Sequence, residues 1–116
     1  MTENLKHKRL HSFDDLVIEC FKNDKEFAAF SIKSAFEDYI KNGEINYLLN
    51  TLRRVSSAFG MTNLSKKTGI SRQNIYQMLS ENGNPTIRNL ELLLESFGYR
   101  LSIKKIKKPL LNQANF

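Results

Sequence analysis

The sequence predicts an all-α protein: a five-helix bundle organised around a helix-turn-helix, with an N-terminal helical extension and one C-terminal β-strand. Three observations predict it. Between residues 13 and 97 apolar side chains recur three and four positions apart, as the buried face of a helix requires. The periodic stretches are cut by helix-stopping residues at Gly43, Gly60, Gly69, the Glu81-Asn82-Gly83-Asn84-Pro85 cluster and Gly98. Only from Tyr99 to Lys104 does the period change to two.

Residues 1–12 show no periodicity and read as a flexible arm. Phe13, Leu16, Val17, Cys20 and Phe21 have the spacing of a brief helix, with Cys20 on its apolar face as a buried structural thiol. Asn23 or Asp24 caps a second helix that runs to about Lys41 along a seam of Ala29, Ile32, Phe36 and Tyr39. Residues 13–43 make up the N-terminal extension. Ile45, Leu48, Leu49, Leu52, Val55 and Phe59 then form a single stripe, with Asn46, Asn50, Arg53 and Arg54 on the opposite side. Two short helices are expected at about Thr62–Thr68 and Arg72–Ser80, and Ile87, Leu90, Leu93, Leu94 and Phe97 mark the last one. After it, Tyr99, Leu101 and Ile103 alternate with Arg100, Ser102 and Lys104. A lone strand in a helical chain needs a partner, so it is expected to pair with its twin across the two-fold axis of a homodimer. Residues 44–104 are thus the helix-turn-helix domain and 105–116, with Lys105, Lys107 and Lys108, a flexible basic tail.

With 116 residues, 41% hydrophobic and 26% charged, the chain suits one domain with its own core. Cys20 is the only cysteine, which leaves no intrachain disulfide or thiolate cluster and suits a reducing compartment, so a cytoplasmic location is expected. No purely aliphatic run exceeds three residues, the length of Leu92–Leu94, so neither a signal peptide nor a membrane span is expected. The net charge of +6 divides unevenly. Residues 1–43 carry seven Lys/Arg against eight Asp/Glu, whereas residues 44–116 carry eleven against four, a net of +7. A basic second segment implies a polyanionic partner.

Residues 61–80 supply the parts of a helix-turn-helix. Leu64, Ile70, Ile75 and Met78 form its apolar underside, Ser65 is small where the helices cross, Gly69 permits a left-handed turn, and Ser71 caps the second helix. Arg72, Gln73, Tyr76 and Gln77 then face outward, with Asn74 near one edge. Glutamine makes a two-bond pair with adenine, and arginine with guanine or a phosphate. Gln73 and Gln77 lie four apart and share one face. Thr62, Asn63, Asn84 and Arg88 are placed for phosphate contacts, so the expected ligand is a double-stranded DNA operator.

The run Met61-Thr62-Asn63-Leu64-Ser65-Lys66-Lys67-Thr68-Gly69-Ile70-Ser71-Arg72-Gln73-Asn74-Ile75-Tyr76-Gln77-Met78-Leu79-Ser80, followed by Gly83-Asn84-Pro85-Thr86 and Phe97-Gly98-Tyr99-Arg100-Leu101, resembles the addiction-module antidote family. These are HigA-like antitoxins with a helix-turn-helix of the phage-repressor (XRE) type. The similarity extends upstream through Phe13-Asp14 and Phe27-Ala28-Ala29-Phe30 and covers roughly residues 13–104. It implies a phage-repressor-like bundle and a homodimer that neutralises a small RelE/ParE-like (HigB-type) toxin encoded nearby and represses the shared operon. It also implies base contacts at the first, second and sixth positions of the recognition helix, here Arg72, Gln73 and Gln77. The usual alanine at the helix crossing is Ser65 in this chain. The competing reading is a stand-alone XRE-type or prophage transcriptional regulator without a toxin.

The extension holds more aromatics than one seam needs, beside Asp14, Asp15, Glu19, Glu26, Glu37 and Asp38. A surface around Phe13, Phe27 and Phe30 is therefore the candidate contact for a small basic toxin, the alternative being that these rings pack onto the core. Catalysis finds no support. There is no Gly-rich phosphate loop and no Ser/His/Asp set, and the pairs Asp14/Asp15 and Glu37/Asp38 diverge on a helix. His7 and His11 lack a third ligand, so no metal, cofactor or small-molecule substrate is expected.

Overall fold

In a computed structural model of the chain, residues 12–107 are described, and they form six α-helices with no β-strand among them. The helices are α1 (Phe13–Asn23), α2 (Lys25–Asn42), α3 (Ile45–Phe59), α4 (Met61–Thr68), α5 (Arg72–Met78) and α6 (Ile87–Ser96). Four of them start on a side-chain cap. Ser12, Asp24, Ser71 and Thr86 accept the backbone N–H of Asp15, Phe27, Asn74 and Asn89 at 3.0–3.1 Å, each satisfying a donor that the first helical turn leaves open. α2, α3 and α4 end at Gly43, Gly60 and Gly69.

α3 is the shared wall of the molecule. α1 and α2 pack on it, α4 follows along it, and α4 in turn holds α5 and α6. Its stripe of Leu48, Leu49, Leu52 and Val55 is buried, and Leu64, Ile75, Leu79 and Leu93 join it in one continuous cluster that also takes in Phe21, Ile32 and Ala35. Six helices therefore replace the expected five-helix bundle, because α1 and α2 bury their seams in the same core as the helix-turn-helix.

The C-terminal strand expected at Tyr99–Lys104 is not formed among the described residues. Side-chain alternation makes a segment suitable for a ladder, but a strand exists only opposite a partner, and the single chain brings none alongside. The Tyr99 N–H is instead used to close α6, donating to the Leu94 carbonyl at 2.8 Å. Cys20 is exposed rather than buried. Phe21, one position on, takes the inward place, and a single step turns the helix by about 100°. Of the arm expected at 1–12, residues 1–11, with His7 and His11, lie outside the described residues and Ser12 caps α1; of the tail expected at 105–116, Lys108 onward lies outside them. Among those described, no helix is long and apolar enough to cross a membrane.

Candidate nucleic-acid interface

The turn between α4 and α5 is built from its own side chains. The Thr68 hydroxyl donates to the Leu64 carbonyl at 2.8 Å and accepts the Ile70 N–H at 3.1 Å. Between them Gly69 sits at φ 79°, a left-handed conformation that costs a side-chain-bearing residue energy. Ile70 is thereby driven into the core and Ser71 is set as the cap of α5. With Ile75, Met78 and Leu79 buried, Arg72, Gln73, Asn74, Tyr76 and Gln77 are all exposed on the outer side of α5. Gln73 and Gln77 stand one turn apart, so their amides present donor and acceptor atoms in one direction.

One flanking residue is tied to this face by a hydrogen bond, and the others are exposed. The Arg72 guanidinium donates to the Thr62 hydroxyl at 3.1 Å, which ties the first residue of α5 to the first turn of α4. Asn63 is exposed beside Thr62, Asn84 is exposed in the loop after α5, and Arg88 is exposed in the first turn of α6. None of α4, α5 and α6 carries an acidic residue in its first turn, so nothing there offsets the partial positive charge of the helix starts.

Three further residues set the loop after α5. Asn46, on α3, and Asn82, in the loop after α5, form an amide clasp. The Asn82 N–H donates to Asn46 Oδ1 at 2.7 Å and Asn46 Nδ2 donates to Asn82 Oδ1 at 3.3 Å, with Asn82 held at φ 62°. Next to it Gly83 presses against the end of α5, where a Cβ would lie 2.4 Å from the Met78 carbonyl oxygen and 2.8 Å from that of Ser80. Sequence reasoning placed Asn46 on a solvent face, because the partner that gives it a role lies 36 positions away. In the sequence the dipeptide Asn82-Gly83 signals a turn, and the close approach occurs in that turn.

The residues put forward for a protein partner are dispersed. Phe27 packs on Phe21 with ring centres 5.2 Å apart, while Phe13 lies under the Arg54 guanidinium at 5.5 Å on the α3 side. Phe30 is free of ring contacts among the described residues and 67% exposed. Asp14 is not a free acid. Arg53 donates through both terminal nitrogens to its two oxygens at 3.2 Å, and Arg54 Nε donates to Oδ1. These bonds, Arg53's above all and then Arg54's, hold the Asp14 carboxyl below the usual carboxylate range. Nor do Tyr99, Leu101 and Ile103 share a buried side: Leu101 packs on the core, whereas Tyr99 and Ile103 are exposed.

A family model described as probable addiction module antidote protein matches residues 19–105, most of the chain and all of α2 to α6. An uncharacterised protein of Haemophilus influenzae is 25% identical to it over 105 residues, spanning 90% of this chain and 96% of its own length. Solved structures offer no significant match.

Proposed function

The chain belongs to the family of probable addiction module antidote proteins, and from that membership we propose that it is the DNA-binding antitoxin of a type II toxin-antitoxin module. In this reading it neutralises a small basic RelE/ParE-like toxin of the HigB type encoded nearby and represses their operon through a HigA-like, XRE-type helix-turn-helix. It acts by binding, not by catalysis, in the cytoplasm. The observation that carries the DNA half is the outer side of α5. Arg72, Gln73 and Gln77 stand exposed there on a helix whose other side is locked into the core by Ile75 and Met78, the arrangement that lets a helix enter the major groove with fixed side-chain positions. Thr62, Asn63, Asn74, Tyr76, Asn84 and Arg88 border it as phosphate or edge contacts. As a homodimer paired through Tyr99, Leu101 and Ile103, the protein would present two such helices about 34 Å apart to an inverted repeat.

The test uses the protein and a library randomised around its own promoter. Gln73→Ala and Gln77→Ala should each weaken specific binding by about 1–3 kcal/mol and relax preference at particular base pairs. Arg88→Ala should weaken all sequences alike and lower the salt dependence. Base preferences unchanged in both glutamine variants would show that α5 does not read DNA. Co-purification with the product of the adjacent gene tests the antitoxin half, and its failure would leave a stand-alone regulator.

A further inference from the structure

The loop that follows α5 is tied back to that helix and across to α3 by one run of hydrogen bonds. Ser80 donates to the Gln77 carbonyl through its N–H at 3.3 Å and through its hydroxyl at 2.7 Å, and its own carbonyl accepts the Gly83 N–H at 2.8 Å. Asn82, which precedes that glycine, is clasped by Asn46 in the first turn of α3. Among the described residues Asn82 is the one other than glycine at positive φ, a conformation that asparagine tolerates better than most side chains. Packing does little for this loop. Ser80, Glu81, Asn82 and Asn84 are exposed, and a cleft of about 450 Å³, lined by Asn46, Tyr47, Asn50, Arg53, Leu79 and Glu81, lies between α3 and the end of α5.

We propose that Asn46 is a positioning residue for DNA reading: through Asn82 and Ser80 it fixes the last turn of α5, and with it Gln77, against the body of the protein. The proposal rests on the DNA-reading role of α5 put forward above. The two ends of α5 are held by different means. Its start is set by the Ser71 cap and by the bond from Arg72 to Thr62, so Arg72 and Gln73 have an anchor of their own. Its last turn is followed by a loop that is exposed to water and held to α3 by the clasp. A two-bond pair with a base edge needs its side chain held to within about 0.5 Å, because hydrogen bonds weaken steeply away from their preferred geometry. A loose loop would have to be ordered at each encounter with DNA, an entropy cost that the clasp meets before binding. The clasp bonds are open to solvent and add little to global stability, so placement is the effect that their removal exposes.

The test measures base preference at every position of the randomised promoter library for the parent protein and for Gln73→Ala, Gln77→Ala, Asn46→Ala and Asn46→Asp. Asn46→Ala should lose about fivefold or more of the preference at the base pair that Gln77→Ala identifies, and keep the preferences that Gln73→Ala identifies. Asn46→Asp retains an oxygen for the Asn82 N–H and should keep the parent's pattern, with all sequences bound less tightly because of its added charge. The thermal midpoint of Asn46→Ala should fall by no more than about 5 °C, and binding is compared well below it, on folded protein. A parent protein without any sequence preference would sink the DNA-reading role and this proposal together. If the parent and the glutamine variants behave as expected but Asn46→Ala keeps the parent's pattern, whether at full or reduced affinity, α5 still reads DNA and the positioning role is refuted. A Gln77→Ala pattern equal to the parent's would also overturn it, leaving the clasp no contact to place. So would an Asn46→Asp pattern that matches Asn46→Ala, since the acceptor for the Asn82 N–H would then not matter.

Discussion

Gly83→Ala isolates the fit of one loop against the end of α5. The added Cβ would sit 2.4 Å from the Met78 carbonyl oxygen, 2.8 Å from its carbonyl carbon and 2.8 Å from the Ser80 oxygen. All three are backbone atoms, so no side chain can swing aside, and the loop must move by about 1 Å to restore ordinary contact. Overpacking of this kind costs about 1–3 kcal/mol, and three simultaneous backbone contacts put the expected loss in the upper half of that range. Gly69→Ala is the control, since nothing lies within 4 Å of its Cβ and only the left-handed backbone opposes it, at about 1–2 kcal/mol. Asparagine tolerates that conformation, so Gly69→Asn should recover much of the loss. Gly83→Asn should recover nothing, because the Cβ itself is the obstacle. Urea unfolding followed by circular dichroism reads the difference: with a slope of about 2 kcal/mol per molar, a 2 kcal/mol loss lowers the midpoint by about 1 M. A Gly83→Ala midpoint within about 0.2 M of the parent protein would refute the close approach.

Asp14→Asn should cost about 1–2 kcal/mol near neutral pH, since it removes charge-assisted bonds to Arg53 and Arg54 that are partly open to water. Because folding lowers the Asp14 carboxyl, its contribution is complete above the unfolded-state value and disappears as pH falls through the folded-state one; the gap in urea midpoint between parent and variant should therefore narrow from about pH 4 downward, and a constant gap would contradict the pairing. Deletion of residues 1–43 uncovers the α3 surface that α1 and α2 bury and should abolish the cooperative thermal transition, an outcome that a sharp melt of the truncated protein would overturn. Ser102→Pro removes a backbone donor from the segment proposed for dimer pairing, so sedimentation should show a weaker dimer; an unaltered one would move the interface elsewhere.

The local signals in the sequence were enough for most of the helical frame. Asp24 and Ser71 act through bonds three residues long, and Gly43, Gly60 and Gly69 stop helices by their own backbone, so these boundaries can be read from short windows. The same holds for the inward set of Leu64, Ile70, Ile75 and Met78, which leaves the outward set of α5 as its complement. Long-range relations left no such mark. Arg53 and Arg54 read as a solvent-facing pair until Asp14, 39 and 40 positions away, is folded against them. At Cys20 the helix was right and its phase was off by one residue. At Tyr99–Ile103 the alternation in the sequence does not become a strand among the described residues, where Leu101 packs on the core and Tyr99 and Ile103 are exposed.

The clasp between Asn46 and Asn82 has a consequence for the chemical ageing of the protein. Asparagine followed by glycine deamidates readily, because the backbone nitrogen of the glycine attacks the side-chain amide to give a succinimide, with loss of ammonia. In the folded chain both reactants at Asn82-Gly83 are engaged: the asparagine Oδ1 accepts from Asn46, and the Gly83 N–H donates to the Ser80 carbonyl at 2.8 Å. The attacking nitrogen is thus turned toward Ser80 and the amide is restrained. When the clasp opens, the hydrolysed succinimide leaves Asp or isoAsp at position 82, with a new negative charge in the loop next to α5 and, through isoAsp, an extra backbone carbon. The rate at which that product accumulates in storage is therefore a clock for local opening of the loop, and Asn46→Ala should make it run faster.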